Sequence, residues 1–134
     1  MTAAQSGRMA LNKVRTASIA SKVLAAFFLT VGVVKLLSGY RSQFDINPVI
    51  YHLLSVLEVV VGLLVLVRPD RVGGGIALAL SMGIVGTALL LPDINCGCLG
   101  GAVAVTFAHR LIAGSVAGLL SCIVFSCGPS VPNK

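Results

Sequence analysis

The feature that most constrains this chain is where its charges are not. Four apolar runs, at about 18–40, 49–67, 72–91 and 110–127, are each near the ~20 residues that a helix needs to cross ~30 Å of hydrocarbon. Basic residues and prolines mark their ends: Arg41 closes the first, Pro48 precedes the second and Arg68 ends it, Arg71 opens the third and Pro92 ends it, and Arg110 opens the fourth. Composition agrees with that spacing. Of 134 residues 57% are hydrophobic and only 10% charged, against about 25% charged in an ordinary soluble domain. A core built from so short a chain cannot hide this much apolar surface from water, so lipid must cover it. The expected fold class is an all-α integral membrane four-helix bundle. One transmembrane domain would occupy 18–128, between tails at 1–17 and 129–134.

A cleaved leader is the rival reading of the first run, because Arg8, Lys13, Arg15 and Lys22 lie at or before its start. The run continues past a typical leader's apolar stretch and no A-x-A-like site follows it, so it is expected to stay as a span. The net charge of +6 is not a nucleic-acid signature, since the basic residues form no face with interleaved aromatics. They sit at helix ends, where Lys and Arg set topology. Arg8, Lys13, Arg15, Lys22, Arg68, Arg71 and Lys134 fall on one side; Arg41 and Arg110 fall on the other, with Lys35 near it. By the positive-inside rule both termini are cytoplasmic. The segment carrying Asn95-Cys96-Gly97-Cys98-Leu99-Gly100 then faces outward from a multi-pass plasma (inner) membrane protein. Tyr40, Phe44 and Tyr51 would form an aromatic belt at the outer interface.

Small residues four apart let membrane helices approach closely. Gly114 and Gly118, with Cys122 continuing the stripe, predict such a seam on the fourth span, and Gly75, Ala79 and Gly83 predict its counterpart on the third. Those two spans are expected to pack tightly.

Cys96-Gly97-Cys98 is the most informative local feature. Glycine between the thiols relieves backbone strain, so a short-range disulfide can close. So tight a ring departs from relaxed disulfide geometry and is easily reduced, as exposed catalytic or regulatory disulfides are. A redox-active pair is the reading favoured; a static loop staple and a soft Cu(I) or Zn site, with His109 the nearest further ligand, are the alternatives. Glu58 is the second feature, because it lies near the middle of the second span. An unpaired charge there costs several kcal/mol, so it should face the bundle interior, protonated or paired, on a face shared with Ser55 and Gly62. Lys35 can reach it or extend to the headgroups. Glu58 is read as a proton-handling or ligand-binding group, or else as a structural partner that fixes packing. His52 and His109 are expected to be polar anchors and Arg110 a headgroup anchor; Cys122 and Cys127 are expected to be buried and to act as small apolar residues.

In order, Gly32-Val33-Val34-Lys35, then Leu57-Glu58 with Gly62, then Cys96-Gly97-Cys98-Leu99-Gly100 after a third span and Arg110 at the fourth, the chain resembles the MauE/DoxX-like redox-associated membrane proteins over roughly 18–125. Their signature is Cys-Gly-Cys-Phe-Gly after the third of four spans; Leu99 stands here in place of phenylalanine, and Leu111 follows Arg110 in place of an acidic residue. The resemblance implies forming or handling disulfides of periplasmic proteins, as for the member needed to mature methylamine dehydrogenase. It implies Cys96 and Cys98 as the redox pair and Glu58 as the membrane acid. Relatives of the DoxX type act in quinone-linked sulfur oxidation, which makes a quinone the implied cofactor. The expected activity is thiol–disulfide exchange with a thioredoxin-like or other membrane or periplasmic partner. The rival from another class is a non-catalytic accessory subunit of a larger membrane complex, with the Cys-Gly-Cys loop as a structural staple.

Overall fold

A computed structural model describes residues 3–40, 47–90 and 107–128. They form four helices: α1 (Ala3–Ser38), α2 (Pro48–Val67), α3 (Arg71–Leu90) and α4 (Phe107–Cys127), with no strand among the described residues. Each contains a stretch long and apolar enough to cross a membrane: Asn12–Ser38, Pro48–Val67, Arg71–Leu90 and Ala108–Cys127. The all-α, four-span architecture is therefore as expected. α1 differs at its start, because it begins at Ala3 and makes most of the expected N-terminal tail helical. At ~1.5 Å per residue its 36 residues extend about 54 Å, well beyond the ~30 Å of hydrocarbon.

Local chemistry explains where the helices stop. Gly39 ends α1 with φ +68°, the left-handed conformation that costs glycine little, and its N–H donates to the Lys35 carbonyl at 3.1 Å. Asn47 caps α2, its side-chain oxygen accepting from Val49 N at 2.8 Å, and Pro48 stands where a helix needs no N–H. Pro69 follows the end of α2. Asp70 then opens α3 by accepting from Gly73 N at 2.9 Å.

The helices run alternately up and down as two hairpins. α1 packs along α2 and α3 along α4; α1 also lies against α4, while α2 and α3 touch over a much smaller area. In the first hairpin, a Cβ added at Gly32 would lie 2.7 Å from Val59 Cγ2 and 2.9 Å from the Ser55 carbonyl, and one at Gly62 would lie 2.8 Å from Leu29 Cγ. Only hydrogen fits at either place, so each helix offers a glycine to the other. In the second hairpin Gly74 meets the Phe125 backbone and Gly114 meets Val85. Tight α3–α4 packing is thus as expected, but the α3 stripe is not. Gly73, Gly74, Ala77, Ser81 and Ala88 are buried, whereas Ala79 and Gly83 face outward and Gly75 is half-buried. On α4 Gly114 is buried and Gly118 half-buried, but Cys122 is exposed.

Leu24, Ala25, Phe28, Val61, Val65, Ala77, Ala117 and Val124 form the centre where all four helices meet. Outside it, mid-helix apolar side chains point away from the protein: Leu53 is 64% exposed, Met82 61% and Leu119 67%. Faces of that kind are stable only against hydrocarbon.

Candidate functional site

Polar groups buried in a membrane bundle are few and expensive, and here a buried ion pair lies between α1 and α2. Gly32 brings the helices together beside Ser55 and Val59, and one turn further along α1 Lys35 extends across to Glu58. Lys35 Nζ donates to Glu58 Oε1 at 2.5 Å, and both residues are 3% exposed. Tyr51, one turn above Ser55, is fully buried, and its hydroxyl donates to the Lys35 carbonyl at 3.4 Å. Ser55 does not reach the ion pair: its hydroxyl donates back to the Tyr51 carbonyl at 2.8 Å. The second carboxylate oxygen, Glu58 Oε2, is buried with no hydrogen-bond partner among the described residues.

This arrangement shows which way Lys35 extends and how Glu58 is held. The lysine turns inward, and the acid is paired. Tyr51, Ser55, Glu58, Gly62 and Val65 form one buried stripe on α2, so the shared face of Ser55, Glu58 and Gly62 is as expected. Tyr51 departs from the aromatic belt, since it lies inside the protein; its ring meets Tyr40 edge-on, centroids 5.9 Å apart. Its spacing of four residues to Ser55 and seven to Glu58 was the available signal.

Arg110 also differs from expectation. It is 6% exposed, so the start of α4 turns this side chain into the protein and not toward headgroups. His52 and His109 are exposed, consistent with polar anchors. Cys122 is exposed and Cys127 half-buried, both as free thiols. The expectation that they are buried apolar residues is therefore corrected: position 122 of α4 points outward, beyond the face that meets α3. Cys96 and Cys98, with the rest of the 91–106 connection, lie outside the described residues, as does Phe44. Among the described residues no group of three His, Cys, Asp or Glu side chains is placed to hold a metal ion.

The connectivity puts Lys35, the start of α2, the end of α3 and the start of α4 at one end of the bundle, and the Arg68–Arg71 turn at the other. Leu90 and Phe107, the described residues on either side of positions 91–106, are therefore both on the Lys35 side. Comparisons with protein-family models, with curated proteins and with solved structures find no match for this chain.

Proposed function

We propose that the chain is a membrane thiol–disulfide redox protein in which Cys96 and Cys98 cycle between dithiol and disulfide at the periplasmic face, serving disulfide formation or maturation of partner proteins. The observation that carries this reading is the Cys96-Gly97-Cys98 sequence in the connection between two membrane helices. A partner thiolate attacks one sulfur of the Cys96–Cys98 disulfide and forms a mixed disulfide. The partner's second thiolate then displaces that bond, so the partner leaves oxidised and the pair is left as a dithiol. A quinone, implied by the resemblance, would supply a two-electron, two-proton acceptor when bound. Lys35 Nζ, the one buried ammonium among the described residues, is the kind of donor that a quinone carbonyl accepts from. Glu58 is the membrane acid in this reading.

A second reading, the non-catalytic accessory subunit with the loop as a staple, is favoured by α3. Gly83 and Gly86 have open space where a Cβ would stand, a smooth surface of the type that membrane helices use to meet one another.

Single Cys96→Ser and Cys98→Ser variants test the choice. If the pair exchanges, one of them accumulates a covalent adduct on a non-reducing gel that reductant dissolves, and the double variant does not. If neither traps a partner and the native pair resists mild reductant, the catalytic reading fails; stoichiometric co-purification with large membrane partners would then support the subunit.

A further inference from the structure

The Lys35–Glu58 contact is incomplete as a hydrogen-bonding unit. A carboxylate accepts through two oxygens and an ammonium donates three N–H bonds. Between them one bond is made, to Oε1. Oε2 has no partner, and the ammonium makes no other hydrogen bond, among the described residues. Leaving a buried acceptor unsatisfied costs about 1–3 kcal/mol and more for a charged one, and native proteins seldom tolerate it without a water, an ion or a function to explain it. Ser55, the hydroxyl nearest along the α2 stripe, is already committed to the Tyr51 carbonyl.

Charge decides what can complete the unit. The pair is neutral as a whole, so a cation beside Oε2 meets the ammonium and an anion beside Nζ meets the carboxylate. A neutral group that both donates and accepts satisfies each side at once. A hydroxyl does this: its hydrogen goes to Oε2 and one of its lone pairs takes an N–H of the ammonium. Two such partners lie at the lower end of the two to four hydrogen bonds that a buried water makes.

We infer that Glu58 Oε2 and Lys35 Nζ together bind a neutral O–H group in the membrane interior, making the pair a hydrated binding site and not a dry staple. The inference stands apart from the thiol reading, because it requires nothing of Cys96 or Cys98. The hydroxyl comes either from an internal water or from an alcohol dissolved in the bilayer.

Glu58 is the only glutamate in the chain, so selective ¹³C-glutamate labelling gives one side-chain carboxyl resonance. The experiment is water-edited solid-state NMR on the full-length wild-type protein, with valine also ¹³C-labelled, in vesicles of its native membrane lipid. The expected result is magnetisation transfer from water to Glu58 Cδ several-fold faster than to Val61 and Val65, which are buried on the same helix. Slow transfer together with a Glu58 Cδ shift when native lipid is exhaustively replaced by synthetic phosphatidylcholine would assign the hydroxyl to a membrane alcohol and keep the site. Transfer as slow as at Val61 and Val65, with no shift on lipid replacement, would overturn the inference.

Discussion

Removing Lys35 should be far more damaging than removing Lys35 and Glu58 together. At the 2.5 Å separation between Nζ and Oε1, Coulomb's law with an effective dielectric constant of about 20 gives a gross attraction of about 7 kcal/mol. Most of that is offset, because taking each ion out of water costs several kcal/mol. In Lys35→Leu the attraction disappears while the desolvation of Glu58 remains. The expected loss is about 3–5 kcal/mol, the range typical when one partner of a buried pair is removed. Glu58→Leu should lose a similar amount by stranding the ammonium. The double Lys35→Leu, Glu58→Leu variant removes both desolvation terms and should lie within about 1–2 kcal/mol of wild type, on either side, since apolar replacements of buried pairs are often neutral or stabilising. The assay is reversible unfolding in mixed micelles, read by far-UV circular dichroism, for the four proteins of the cycle. The reasoning is refuted if Lys35→Leu unfolds within about 0.5 kcal/mol of wild type, the usual span for substitutions that touch nothing important, or if the two single losses simply add.

Three further outcomes follow from the geometry. Gly32→Leu should destabilise the protein by about 1–3 kcal/mol or prevent folding, as overpacking does, because its Cβ alone would lie 2.7 Å from Val59 Cγ2; Gly83→Ala, with nothing within 4 Å, should leave thermal stability in detergent unchanged or slightly higher. Asp70→Ala should cost about 1 kcal/mol through loss of the α3 cap, measured as a lower unfolding midpoint, and Asp70→Asn should recover most of it. In intact reduced cells a membrane-impermeant thiol reagent should label Cys96 or Cys98, while Cys122 should react only with a lipid-soluble one; labelling of Cys96 and Cys98 only after the inner membrane is opened would reverse the expected topology.

The membrane class and the number of spans were legible because hydrocarbon thickness imposes a length and Lys, Arg and Pro punctuate it. Glu58 was legible for a related reason: a carboxylate in the middle of an apolar run has few places to point. What failed was the choice of face among small residues. Gly73, Gly74 and Gly75 follow one another, and moving by one residue turns a helix by ~100°; nothing in the local sequence says that Gly74 meets the Phe125 backbone while Gly75 touches only the edge of its ring. The same rotation misplaced Cys122. Arg110 and Tyr51 failed differently. Both residue types are common at membrane interfaces, and only the arrangement of neighbouring helices decides whether such a side chain turns out to the headgroups or inward. Cys96 and Cys98 rest on sequence alone.

The pairing of Lys35 with Glu58 also bears on how the chain enters its membrane. A lone acid at the centre of an inserting helix carries a penalty of about 2.5–3.5 kcal/mol on translocon scales. Because α1 precedes α2 and the two form one hairpin, the ammonium emerges from the ribosome before the carboxylate that needs it. Insertion of α2 should therefore be easier with α1 still beside it, so that the two helices enter as a unit.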